Sequence, residues 1–318
     1  MGAYGLQTHI WNNELKSILL LIGFPVLLAL LLLGLTVGYV GLVEPVRNAD
    51  EAVSAVLYYY TRVWVFALIG AGAWFLIAWF LHQRIISSVV KSKSLSRKDA
   101  PEIYNLLENL CISRGMVMPR LKIMETPQLN AFASGVREDN YEITLTRGLI
   151  DRLETDELEA VIAHELTHIR NKDVRLLIIA VIFVGIFSFI GEMVFNGVLR
   201  RGLRAGGHTR SRNGDSRGGG MLILLAIAII AISYVLAIVI RFALSRKREY
   251  LADAGAVDLT RNPDAMISAL EKISGKSEIE APDDVRQMMV DNPVRFMGVF
   301  ATHPPIDRRI EALRAYGG

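Results

Sequence analysis

The sequence predicts an α+β protein that is mostly α-helical and embedded in a membrane. A small β-sheet with active-site helices forms its water-facing part, and about four transmembrane helices complete it. Three observations carry this. Residues 17–43, 63–81 and 221–240 contain no charged side chain, and 176–191 adds a fourth such stretch whose apolar pattern resumes after Glu192 and runs to Leu199. A helix needs ~20 apolar residues to cross a bilayer, and core helices seldom run that long without a polar face. The charged stretches between and after these segments alternate between helix and strand periodicity. Lastly, His164, Glu165 and His168 stand in the order H-E-x-x-H within VIAHELTHIRNK.

Composition agrees with the membrane reading. Of 318 residues, 52% are hydrophobic and only 21% charged, and the mean hydropathy is +0.35. The net charge of +3 implies no nucleic-acid partner. The single cysteine, Cys111, excludes a disulfide framework and a multi-cysteine metal site.

The first apolar stretch is too long for the core of a signal peptide, and nothing resembling a cleavage site follows it before Glu44, so it reads as a retained span. A polar loop, 44–62, leads to the second span. The loop's Arg47 and Arg62 are balanced by Glu44, Asp50 and Glu51, whereas Arg84, Lys91, Lys93, Arg97 and Lys98 crowd the far end of the second span. The positive-inside rule therefore places the N-terminus and the chain after residue 82 in the cytoplasm, in a multi-pass protein of the inner (plasma) membrane. Residues 100–114 read as an amphipathic helix stopped at Gly115. LKIMET (121–126), LNAFAS (129–134) and YEITLT (141–146) read as strands, with Val136–Asn140 as a turn. RGLIDRL then leads into the H-E-x-x-H helix.

Two further hydrophobic segments interrupt this soluble part. The Gly- and Arg-rich loop between them carries Arg200, Arg201, Arg204, Arg210, Arg212 and Arg217. Two crossings would put these arginines outside, against the positive-inside rule; a hairpin that does not cross would keep them inside. Segment length favours two crossings. Residues 246–260 read as a helix leaving the membrane, and the tail ends in a short helix begun after Pro304–Pro305. The chain thus divides into an N-terminal membrane region (1–83), the first part of a cytoplasmic soluble domain (84–172), two more membrane helices with their loop (173–242), and the second part of the soluble domain (243–318).

The motif helix explains why the soluble part exists. Positions i and i+4 share a helix face, so His164 and His168 can aim both imidazoles at one point. Glu165 beside them can take a proton from water. Thr155 is the expected N-cap, Asp156 and Glu157 fill the first turn, and Arg170 and Lys172 the last. Leu158, Val161, Ile162 and Ile169 form an apolar stripe, with the histidines roughly 110° away from it. A catalytic metal needs a third protein ligand. Glu249 is the candidate, with Asp253 one turn further along EYLAD, where it can hold a ligand histidine's N–H. Taken alone, RKREYLAD reads more readily as a solvated charged face.

In order, HELTH, EYLAD and THPPIDRR, with NAFASG (130–135) upstream, resemble the HtpX-type membrane metalloproteases, related to the CAAX prenyl proteases. The resemblance covers essentially the whole chain. It implies a zincin-like catalytic domain with one zinc ion held by His164, His168 and Glu249. Glu165 is then general base and proton donor, and Asp253 the partner of His164. It further implies that Asn130, Ala131, Phe132 and Ala133 form the strand that clamps a peptide. His303 would lie near the oxyanion, joined by Arg309. The implied substrates are membrane or unfolded polypeptides, and the implied role is membrane-protein quality control. Two rivals remain: a prenyl-protein protease, whose relatives have more spans, and an inactive scaffold that binds unfolded segments, although such proteins usually lack a ligand or the base.

Overall fold

The computed structural model describes residues 6–180, 182, 217–242, 247–274, 276–277 and 304–317. The chain forms two compact units. One comprises Ile18–Trp79 and Ile179–Arg241; the other comprises Met1–Ser17, Phe80–Ile178 and Phe242–Gly318.

The first unit is built from long apolar helices: α1 (Leu6–Val43), α2 (Ala49–Val89) and α6 (Arg217–Phe242). Among the described residues, two helices are long and apolar enough to cross a membrane, over Ile22–Val43 and Ala49–His82. In α6 the apolar run, Gly220–Leu236, is shorter. The third expected span, with the arginine-rich loop after it, lies almost wholly outside the described residues. α1 and α6 meet through small residues. A Cβ on Gly34 would come 2.9 Å from Ile230 Cγ1, and one on Gly38 would touch the Ala226 methyl at 3.3 Å. Glycines four apart let two backbones approach where lipid offers no hydrophobic drive for helix pairing. Val37, Val40, Val56 and Ala226 fill the core beside them. Large apolar side chains on α2, among them Phe66, Ile69 and Leu76, stay exposed, as suits a surface wetted by lipid.

The polar loop expected over 44–62 is shorter than that. Asn48 Oδ1 accepts the Glu51 N–H (2.9 Å), and Asp50 and Glu51 lie in the first turn, so α2 begins at Ala49. Counting charge-free residues finds where a helix can be buried in lipid; it misses the turns that extend beyond.

The second unit carries the sheet. Its strands are β1 (Lys93–Ser94), β2 (Arg120–Met124), β3 (Ala131–Ser134) and β4 (Glu142–Thr146), in the order β1-β2-β4-β3. The β2–β4 pair is parallel, the other two antiparallel, and β3 is an edge strand. The β3–β4 turn is held by Asn140, whose Oδ1 accepts the N–H groups of Val136 and Arg137. α3 (Pro101–Arg114) ends at Gly115, which takes the left-handed conformation (φ 62°). The short α4 (Arg147–Arg152) precedes α5 (Thr155–Arg170), which packs against β3, α3, α7 (Lys247–Thr260) and α8 (Pro263–Ile273). The chain closes with α9 (Ile306–Gly317) on α7 and α8. The two-residue strand β1 and all of α8 had no sequence-based expectation.

Candidate active site

α5 starts one residue earlier than its sequence suggests. Thr155 is the first helical residue and Glu154 the cap, because Glu157 reaches back to accept the Glu154 N–H at 2.8 Å. The same Glu157 carboxylate takes hydrogen bonds from Ser268 Oγ (2.5 Å) and Lys272 Nζ (2.7 Å) on α8. Burial alone would raise its pKa; those donors outweigh burial and hold it below the usual glutamate value. The entry of the motif helix is thereby tied to α8.

At the other end, Lys172 adopts a left-handed conformation (φ 59°), and helical backbone resumes at residue 173. That reversal brings Asp173 back onto the helix it has just left. Asp173 Oδ2 lies 3.0 Å from His168 Nδ1.

α7 reaches α5 closely because it presents Gly255 at the crossing. A Cβ there would stand 2.4 Å from Thr167 Cγ2, an impossible contact. The approach delivers Glu249, in the first turn of α7, to the histidine face. His164 Nε2 is 3.2 Å from His168 Nε2 and 3.6 Å from Glu249 Oε2, and His168 Nε2 is 3.7 Å from Glu249 Oε1. The imidazole planes are perpendicular. His164, Glu165 and Glu249 are buried, while the His168 side chain keeps 12% of its surface open.

Asp253, one turn after Glu249, stands behind His164, its Oδ1 3.0 Å from Nδ1. Arg309 of α9 clamps that carboxylate with two hydrogen bonds, Nη2 to Oδ1 (2.6 Å) and Nε to Oδ2 (2.9 Å). Burial would raise the Asp253 pKa, but the Arg309 charge and its hydrogen bonds, helped by His164, hold it below the ordinary range. Arg309, expected beside the substrate, is 0% exposed. Its Nη2 bonds the same Asp253 Oδ1 that faces His164 Nδ1, so it braces the carboxylate behind that histidine. Asn130, Ala131, Phe132 and Ala133 are all buried, the last three within the edge strand β3. His303 lies outside the described residues.

Residues 97–316 match Peptidase family M48. The chain belongs to that family. It is similar along its whole length to a "Protease HtpX homolog" of Bacteroides fragilis (strain YCH46), with 43% identity over 333 aligned positions that cover 99% of this chain and all of the relative. A "Protease HtpX homolog" of Listeria monocytogenes serotype 4a (strain HCC23) is 33% identical, covering 97% of this chain and 99% of the relative. The crystal structure of S. mikatae Ste24p superposes over 96% of this chain and 66% of that one, at 20% identity and a TM-score of 0.43.

The M48 chain is a membrane metallopeptidase, and its residues fit a metal. The candidate donor atoms of His164, His168 and Glu249 all lie within 4.8 Å of one another. Ligands about 2.0–2.2 Å from a tetrahedral ion stand roughly 3.3 Å apart, close to the observed 3.2–3.7 Å separations. The donor set, two imidazole nitrogens and a carboxylate, is also one that suits a catalytic ion with a position left open.

The sequence reading missed Asp173. It lies five residues after His168, off the helical repeat, and only the left-handed turn at Lys172 brings it back. The NKD following the motif is the signal that could have found it, since Asn and Asp often mark helix ends.

Proposed function

We propose that this protein is a zinc-dependent endopeptidase of the inner membrane that cleaves membrane or unfolded polypeptides at the cytoplasmic face, in membrane-protein quality control. The observation that carries the reading is the convergence of His164, His168 and Glu249 on one point, with Glu165 adjacent.

Bound zinc would supply a Lewis acid that brings the pKa of water toward ~7 and polarises the scissile carbonyl. His164, His168 and Glu249 would hold the ion. Asp253 accepts the proton on His164 Nδ1, and Asp173 the one on His168 Nδ1, which turns both Nε2 lone pairs toward the cluster. Glu165 accepts the proton of the attacking water and passes it to the leaving amine. The outer edge of β3 holds the substrate as an added strand. His303 keeps its sequence-based assignment as a donor to the developing oxyanion. No observation favours the prenyl-protein or scaffold readings, and the ligands and base are all present.

Glu165→Gln tests the assignment. Cleavage should fall by at least ~10²–10⁴-fold while zinc content stays at that of the wild type. A turnover near wild type would remove Glu165 as the base.

We further propose four crossings, with the soluble domain assembled from residues 84–172 and 243–318 on one side. His164 and Glu249 meet in one unit, so the chain between them crosses an even number of times. The Gly34–Gly38 face of α1 supports membrane burial of α6. A cysteine at Gly207 should react with an impermeant thiol reagent added outside intact cells, and cysteines at Lys98 and Gly317 should not. Labelling at Lys98 or Gly317 overturns the topology.

A further inference from the structure

His164 and His168 each have a carboxylate behind the imidazole, but Glu249 is itself an acid and needs a donor. It offers both of its oxygens to the histidines. Oε2 stands 3.6 Å from His164 Nε2, and Oε1 stands 3.7 Å from His168 Nε2. The histidines therefore do not decide which oxygen serves as the ligand. Arg248, the residue before it in the first turn of α7, breaks that symmetry. Its Nη2 lies 3.9 Å from Oε1, an ion-pair distance rather than a hydrogen bond. Arg248 is 7% exposed and the Glu249 side chain 1%, so water screens the pair weakly. Arginine is seldom buried without a charge partner, and among the described residues Glu249 is the carboxylate that stands beside it.

We infer that Arg248 is a positioning residue that draws Glu249 Oε1 aside, so that Glu249 ligates the metal through Oε2 alone. This rests on the reading of His164, His168 and Glu249 as a metal centre. A carboxylate can bind an ion through one oxygen or through both. Binding through both would occupy the position that a catalytic site keeps open for water. From 3.9 Å, a side-chain shift of about 1 Å brings Nη2 within hydrogen-bonding distance of Oε1. That charge-assisted bond competes with the metal for one oxygen and leaves the other free to ligate. The guanidinium also repels a cation held beside Glu249. Losing it should therefore cost no metal affinity; what is lost is the open position.

The test uses the full-length protein in detergent, loaded with Co²⁺, which takes the same kinds of donor. Visible absorption of Co²⁺ is strong in tetrahedral sites and weak where more donors bind. Wild type should show the strong bands. Arg248→Met should show weak ones, and Arg248→Lys, which keeps the charge, should return toward the wild-type spectrum. Competition with a chelator should find Co²⁺ held by Arg248→Met at least as tightly as by wild type. With zinc, kcat of Arg248→Met on a peptide that the wild type cleaves should fall by ~10–100-fold, with little change in KM. A residue needed only for packing would instead loosen the metal and leave the spectrum of the bound fraction as it was. A wild-type spectrum in Arg248→Met overturns the inference, and so does weaker Co²⁺ binding. A raised KM at unchanged kcat also overturns it, by placing Arg248 against the substrate. Failure of the wild type to bind Co²⁺ would overturn the metal centre itself, and the inference with it.

Discussion

The two histidines of the motif stand one turn apart on the same helix, yet they are braced in opposite ways. His164 leans on Asp253, 89 positions further along the chain, and Asp253 is fixed in turn by Arg309 at the chain's end. His168 leans on Asp173, five positions away, across a single turn. One brace needs α5, α7 and α9 docked together, while the other is formed across the turn that ends α5. The site is thus half a local device and half a product of the finished fold, so its two halves should fail differently.

The largest effect should come from the distant brace. Arg309→Met would leave Asp253 buried without its clamp. Breaking a buried pair by removing one partner costs about 3–5 kcal/mol. The variant should unfold earlier in denaturant and hold zinc weakly, both together. Wild-type stability with weakened zinc binding would mean that α9 docks without the Arg309–Asp253 pair.

The local brace should give a cleaner result. Asp173→Asn keeps a hydrogen-bond acceptor for His168 Nδ1 but removes the charge. Loss of such a partner typically weakens metal binding ~10–100-fold. Stability of the metal-free protein should move less than in Arg309→Met, because the His168–Asp173 pair spans a single turn. Competition with a chelator measures the first quantity and denaturation of the apo-protein the second. An affinity equal to wild type would leave His168 braced by something other than Asp173.

The same contrast explains what could be read in the sequence. The helix with His164, Glu165 and His168 was legible because its periodicity is local, and the spans were legible because lipid demands unbroken apolar length. The strands at 120–146 and the stop at Gly115 were visible for the same kind of reason. Glu249 and Asp253 were legible as a pair on one helix face, but nothing in RKREYLAD told a ligand from a solvated charge. Their use depends on how closely α7 approaches α5, which Gly255 permits and no spacing reveals. Arg309 was placed beside His303 only by the family resemblance; the packing of α9 puts it against Asp253. Asp173 went unread because it lies off the helical repeat, and the NKD that marks the helix end does not say that a left-handed Lys172 folds it back onto His168.

The smallest expected effect separates the helix from its ligands. Glu157 fixes the start of α5 to α8, two turns before His164, and touches neither brace. Its folded pKa lies below the ordinary value, so its contribution to stability is present above the unfolded value of about 4.3 and fades as pH falls through the folded one. Glu157→Gln should lower stability at pH 7 by about 1 kcal/mol, a modest figure because Lys272 is partly open to solvent. The gap between wild type and variant should then close as pH falls below the unfolded value and the wild-type carboxylate takes up its proton. Zinc affinity at pH 7 should be unchanged. If affinity fell along with stability, the ligands would depend on where α5 begins, and the division between a local and a distant brace would have to give way to a single cooperative helix.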